Sequence, residues 1–129
     1  MAGEVLIIED DIVNQLVIKK LLQKKSISTH EAENGQSGID VLKKNPGIRH
    51  IVLDLNLPIM DGYSFIEYIN AHDEYRHIKI YVVSCYAQSA FNAKMNNRNI
   101  ELSQIVQYYE KPLAIQEMVE TISANATVR

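Results

Sequence analysis

Short, unbroken apolar runs that each stop on a charged or hydroxyl side chain leave this chain few folds to choose from. Val5-Leu6-Ile7-Ile8 ends in Glu9-Asp10-Asp11, Ile51-Val52-Leu53 ends at Asp54, and Ile78-Lys79-Ile80-Tyr81-Val82-Val83 ends at Ser84. A continuous apolar run suits a strand buried on both faces, as in a parallel sheet sandwiched between helices; a sheet with one wet face would alternate instead. The segments between the runs carry the helical period. From Ile12 to Lys25, Val13, Leu16, Val17, Leu21 and Leu22 recur at helical spacing with Lys19, Lys20, Lys24 and Lys25 turned away, which predicts an amphipathic helix with those apolar residues inward.

The rest of the chain continues the alternation. Ile27 to Ala32 reads as a second, less buried strand, and Asn34-Gly35 breaks the chain before a helix carrying Ile39, Val41 and Leu42. After the turn Asn45-Pro46-Gly47, the third strand runs from Ile48 to Leu55; Pro58 and Asp61-Gly62 then mark a loop into a helix from about Tyr63 to Ala71. Gln88 to Asn99 predicts only a weak or irregular helix, because Asn92, Asn96, Asn97 and Asn99 are poor helix formers. Ile105 to Tyr109 forms a fifth strand ending near Lys111-Pro112, and Leu113 to Ala124 a last amphipathic helix. Strands and helices in strict alternation imply one α/β domain over residues 1–129, a doubly wound parallel sheet covered on both faces.

Composition narrows the function. A formal charge of −3 supplies no basic footprint for direct nucleic-acid binding and no polybasic segment for an anionic membrane. Cys85 is the only cysteine, so an internal disulfide is impossible and zinc-type ligand spacing is missing. The amino terminus has neither a basic n-region nor an apolar stretch of signal length, and a cytoplasmic location is expected.

In open α/β sheets, ligands bind beyond the carboxyl ends of the strands, where the strand order reverses. Those ends carry Glu9, Asp10 and Asp54, with Ser84 and Lys111 at two others. Carboxylates a few ångströms apart repel by roughly 4 kcal/mol per pair at an effective dielectric of about 20, so the cluster requires a counter-charge. Oxygen ligands shared with phosphate and water suit Mg²⁺, or Mn²⁺, better than zinc. Lys111 would add a fixed ammonium able to meet a phosphoryl oxygen.

On these motifs the chain resembles the receiver domains of two-component response regulators, including the bacterial chemotaxis response regulator. Val5 to Asp11 resembles the family's first strand and acidic pair, Asp54-Leu55-Asn56-Leu57-Pro58-Ile59-Met60-Asp61-Gly62 its phosphoacceptor loop, and Ser84 and Lys111-Pro112 its hydroxyl and Lys-Pro positions. The resemblance implies a flavodoxin-like five-stranded sheet in the order 2-1-3-4-5. It also implies that Asp54 takes a phosphoryl group from a histidine kinase or phosphotransfer protein, with Ser84 and Lys111 assisting. Mg²⁺ would be held by Glu9, Asp10, Asp54 and the backbone carbonyl of Asn56. Tyr108 stands at the family's switch-aromatic position and would turn inward as Ser84 moves, altering the face built by the fourth helix, fifth strand and last helix for an output partner or a second copy of the chain. The Lys111-Pro112 bond would be cis. No enzymatic activity is expected beyond self-catalysed phosphotransfer and autodephosphorylation. The chain departs from the family pattern in three respects: Cys85 follows Ser84 in place of a smaller residue, the stretch from Ser84 to Lys111 is longer than usual, and Glu9 replaces the commoner Asp.

Several residues invite plainer readings. Asp11 is expected to cap the first helix and Asp61 to serve as a turn or cap residue. Cys85 is read as a small buried side chain, and His30, His50, His72 and His77 as surface or loop residues. A haloacid-dehalogenase reading requires a second Asp where Asn56 stands, and a flavin-binding reading requires a Gly/Ser/Thr-rich loop after the first strand. The remaining alternative is a receiver-like docking module that works without phosphorylation.

Overall fold

The computed structural model describes residues 3–111 and 115–127 and consists of strands and helices in alternation. The elements are β1 (Glu4–Ile8), α1 (Ile12–Lys24), β2 (Thr29–Ala32), α2 (Gly35–Lys44), β3 (Ile48–Asp54), α3 (Gly62–Ala71), a 3₁₀ turn (Asp73–Tyr75), β4 (Lys79–Ser84), α4 (Gln88–Asn97), β5 (Ile105–Glu110) and α5 (Ile115–Thr127). All strand pairings are parallel, in the order β2-β1-β3-β4-β5. This is the expected flavodoxin-like arrangement.

Alternate strand residues feed two apolar layers, which explains why the strands read as unbroken apolar runs. On one face Leu6, Ile8, Ile51, Leu53, Ile80 and Val82 pack with Ile39 and Leu42 of α2, Phe65, Ile66 and Ile69 of α3, and Phe91 and Met95 of α4. On the other, Val5, Ile7, Val52, Tyr81, Val83 and Tyr109 pack with Ile18 and Leu22 of α1 and Met118, Val119 and Ile122 of α5. Each buried residue removes apolar surface from water on a helix face and on the sheet together.

Polar residues start the helices where the sequence places them. Asp11 accepts from the amides of Val13 and Asn14, Asn34 forms a capping box with Ser37, and Asp61 accepts from the Ser64 amide. Each satisfies amide donors that a helix start leaves open. Asp11 and Asp61 are therefore caps, as expected.

The structure corrects the sequence reading in several places. In α1, Ile18 and Leu22 point to the core, while Val13, Leu16 and Val17 are exposed together with Ile12. The inward position of the first turns is taken by Gln15, whose side-chain amide donates to the Glu9 and Ala32 carbonyls at 3.1 and 3.2 Å. The Ala32 carbonyl already accepts from the Glu9 amide at 3.0 Å, and Gln15 adds a second bond there and ties it to the Glu9 carbonyl, so a polar side chain holds the inward position. The segment after β4 forms a regular helix, because Phe91 and Met95, four residues apart, are both buried, and tertiary packing overrides the weak propensity of its asparagines. Asn99 then ends it at φ 55°, a conformation asparagine tolerates. His50 is no surface residue: it lies on β3 at 4 % exposure against Tyr81. Cys85 is exposed, since it follows the end of β4 and passes beyond the helices that cover the sheet.

Candidate functional site

The first strand's two neighbours are β2 and β3, so the chain's winding direction reverses between β1 and β3 and leaves a crevice beyond their carboxyl ends. Glu9 directly follows β1, Asp54 is the last residue of β3, Ser84 the last of β4, and Lys111 directly follows β5. All four enter one crevice of about 480 Å³, with Asp10, Asp11, Asn14, Asn56, Cys85 and Tyr86. The convergence expected from the sequence is therefore present.

The acids meet closely. One carboxylate oxygen each from Glu9, Asp10 and Asp54 lies within 4.8 Å of the others, an oxygen-only donor set that could hold a metal ion. Glu9 is 2 % and Asp54 7 % exposed, whereas Asp10 faces solvent. The Lys111 Nζ donates to Glu9 Oε1 at 2.8 Å and to Asp54 Oδ2 at 3.2 Å, bridging the two buried carboxylates. The amide of Asn56 holds the other oxygen of Asp54 at 3.1 Å, and the amide of Asp11 donates to Glu9 Oε2 at 3.2 Å. Gly62 fits α3 against this strand end: a Cβ there would lie 2.7 Å from the Leu55 Cα and 2.9 Å from the Asp54 carbonyl oxygen.

The electrostatics carry the mark of crowding. Burial, joined by the hydrogen bond and negative charge of Asp54, pushes Glu9 up to about 7 against the opposing pull of Lys111. Burial alone would depress the Lys111 ammonium, but its hydrogen bond to Glu9 and the charges of Asp54 and Glu9 outweigh that and hold it above its ordinary value. Glu9 is thus part-protonated near neutrality, chiefly because burial disfavours its charged form.

Ser84 is linked to Tyr108 through the loop after β4. The Tyr86 amide donates to Ser84 Oγ at 3.1 Å, and the Tyr108 hydroxyl donates to the Tyr86 carbonyl at 2.5 Å. Tyr108 is 6 % exposed and its ring centroid lies 4.9 Å from that of Phe91 on α4. The sequence reading places an inward turn of this ring after phosphorylation; here the ring is already inward. Sequence reasoning missed Gln15 and the bridging part of Tyr86. A polar residue at an inward helical position was the available signal for Gln15, whereas backbone bonds to Tyr86 leave no trace in residue type. Pro112, and with it the expected cis bond, lies outside the described residues, as does Leu113.

The profile of the family described as "Response regulator receiver domain" matches residues 5–123. The chain belongs to that family. This receiver domain is 25 % identical over 125 residues to the polar-differentiation response regulator DivK of Brucella anthropi, covering 96 % of each chain, and 23 % identical to that of Brucella ovis over the same shares. Among solved structures, it resembles a sensor protein from Polaromonas sp. JS666 (22 % identity, TM-score 0.81, 96 % of this chain and 94 % of that one). It also resembles a CheY-like receiver domain protein from Methanospirillum hungatei JF-1 (21 % identity, TM-score 0.79, 98 % and 94 %). These likenesses show the fold. No helix among the described residues is long and apolar enough to cross a membrane.

Proposed function

We propose that this receiver domain accepts a phosphoryl group on Asp54 from a histidine kinase or phosphotransfer protein and passes the change to a partner through the face built by α4, β5 and α5. The observation that carries the proposal is the Lys111 ammonium bridging two buried carboxylates at the mouth of a crevice large enough for a phosphoryl group.

The residues divide the work. An Asp54 oxygen attacks phosphorus in line, forming an O–P bond while the donor's bond to phosphorus breaks and its leaving atom keeps the electron pair. The Asn56 amide fixes the spare Asp54 oxygen and so orients the attacking one. Glu9, Asp10, Asp54 and the Asn56 carbonyl would hold Mg²⁺ or Mn²⁺, for which the clustered oxygen donors fit. A divalent ion there supplies neutralisation of charge gathering on the phosphoryl oxygens. Ser84 accepts from the Tyr86 amide and keeps its own proton for a phosphoryl oxygen, and Lys111 gains such an oxygen as a further acceptor.

The readout runs from Ser84 through Tyr86 to Tyr108 and Phe91. With Tyr108 already inward, phosphorylation deepens the population of an existing arrangement, and the output partner or a second copy of the chain reads it. Self-catalysed transfer and autodephosphorylation are the only chemistry proposed, and the setting is the cytoplasm. The test is incubation with Mg²⁺ and acetyl phosphate followed by intact mass. The expected result is the addition of one phosphoryl group that Asp54→Ala abolishes and EDTA prevents. An unchanged mass would favour a phosphorylation-independent docking module.

A further inference from the structure

Away from the crevice, a second polar chain crosses the layer beneath α5. His50 on β3 and Tyr81 on β4 are both buried, and His50 Nδ1 lies 3.2 Å from the Tyr81 hydroxyl oxygen. That oxygen also accepts from the side-chain amide of Asn125, near the end of α5, at 2.9 Å. A phenol has one proton, and with the Asn125 amide nitrogen facing its oxygen, the acceptor left for that proton among the described residues is His50 Nδ1. The order is therefore Asn125 to Tyr81 to His50, with the imidazole neutral and protonated on Nε2.

We propose that His50, Tyr81 and Asn125 form a proton-sensitive latch that ties the end of α5 to the sheet and releases it on acidification. A proton on Nδ1 turns the imidazole from acceptor to donor. The Tyr81 hydroxyl then receives from both sides and its own proton loses its acceptor, a costly state in a buried site. Turning the Asn125 amide over would restore an acceptor but leaves an imidazolium buried beside Arg49 and Lys79, so relief comes when the end of α5 parts from the sheet and admits water. The charged surroundings resist the proton as well: Arg49 stands beside His50 on β3 and Lys79 opposite it on β4. On β1, Val5 faces His50, and the preceding Glu4 carboxylate is engaged with His30 at 2.8 Å. From α5 comes the neutral amide of Asn125. Asn125 also lines a groove of about 400 Å³ with Arg76, Lys79, Gln104, Ile105 and Val106, a route by which water can reach the parted contact.

Burial first, then the charges of Lys79 and Arg49, push His50 down to about 4 from 6.5. Above pH 6.5 the closed and opened forms are both neutral, and the latch is at full strength. As pH falls the opened form takes its proton first, so the latch weakens between 6.5 and about 4. With 6.5 as the upper limit for the opened form, whose Lys79 and Arg49 neighbours stay on the sheet, the opened population rises by up to about tenfold from pH 7.5 to pH 5.5.

Hydrogen exchange tests this on the whole chain without any phosphodonor, so its outcome is separate from that of the Asp54 chemistry. After correction for intrinsic exchange rates, the amides of Ile122 to Ala126 should lose protection by several-fold, up to about tenfold, between pH 7.5 and pH 5.5, while those of Ile39 and Leu42 on α2 hold theirs. In His50→Gln the pH effect should vanish. In Asn125→Ala, protection at the end of α5 should already be low at pH 7.5 and respond no further, and this variant decides alone if His50→Gln does not fold. Unchanged protection in the wild type, an equal loss on α2 and α5, or a pH effect that survives in Asn125→Ala would overturn the latch.

Discussion

Replacing Glu9 by Gln should stabilise the metal-free protein at alkaline pH. Glu9 is almost fully buried and is held at about 7 where a free glutamate has 4.5. Below pH 4.5 the carboxyl is protonated in both folded and unfolded chains, and its contribution to stability is fully present. As pH rises, the unfolded chain ionises first, so stability is lost between 4.5 and about 7. At about 1.4 kcal/mol per pH unit, that gap corresponds to about 3 kcal/mol. Glutamine is the neutral isostere; its carbonyl can accept from Lys111 without the charge, while its amide replaces the oxygen that accepts from the Asp11 amide, a loss that does not change with pH. Urea unfolding in EDTA should therefore show the advantage of Glu9→Gln over the wild type widening by about 2–3 kcal/mol from pH 5 to pH 8. Added Mg²⁺ should stabilise the wild type at pH 8 and reduce that advantage. An advantage that stays constant with pH, or a wild type more stable than the variant at pH 8 in EDTA, would refute the reasoning.

Other substitutions probe the supports of the site. Gly62→Ala places a methyl against the Leu55 backbone and the Asp54 carbonyl, and should cost about 1–3 kcal/mol in urea unfolding and slow phosphorylation by displacing Asp54. Ile59 is an exposed β-branched residue held at φ 67°; Ile59→Gly should raise stability by about 1 kcal/mol, read as a higher thermal midpoint. Asp61→Ala removes the cap on the Ser64 amide and should cost about 1 kcal/mol by the same assay.

The sheet was legible because strands buried on both faces must be apolar throughout, and the site because its side chains stand at strand ends, where sequence order maps directly onto position. Glu9, Asp54, Ser84 and Lys111 accordingly converge as expected. What could not be read depends on contacts between distant segments. In α1 so many residues are apolar that the inward stripe is ambiguous, and the hydrogen bonds of Gln15 to the Glu9 and Ala32 carbonyls, which residue type does not announce, decide it. His50 reads as a surface or loop histidine until Tyr81 and Asn125 are placed beside it. Cys85 turns outward because the loop after β4 leaves the cover of the helices, a matter of chain path and not of residue type.

Asp54 is the proposed phosphoryl acceptor of this crevice, and borohydride reduction reads that site directly. An aspartyl phosphate formed from acetyl phosphate and Mg²⁺ is reduced to homoserine, which peptide mass mapping locates. Homoserine is expected at position 54; reduction at another carboxylate, or none at all, would rule out Asp54 as the acceptor.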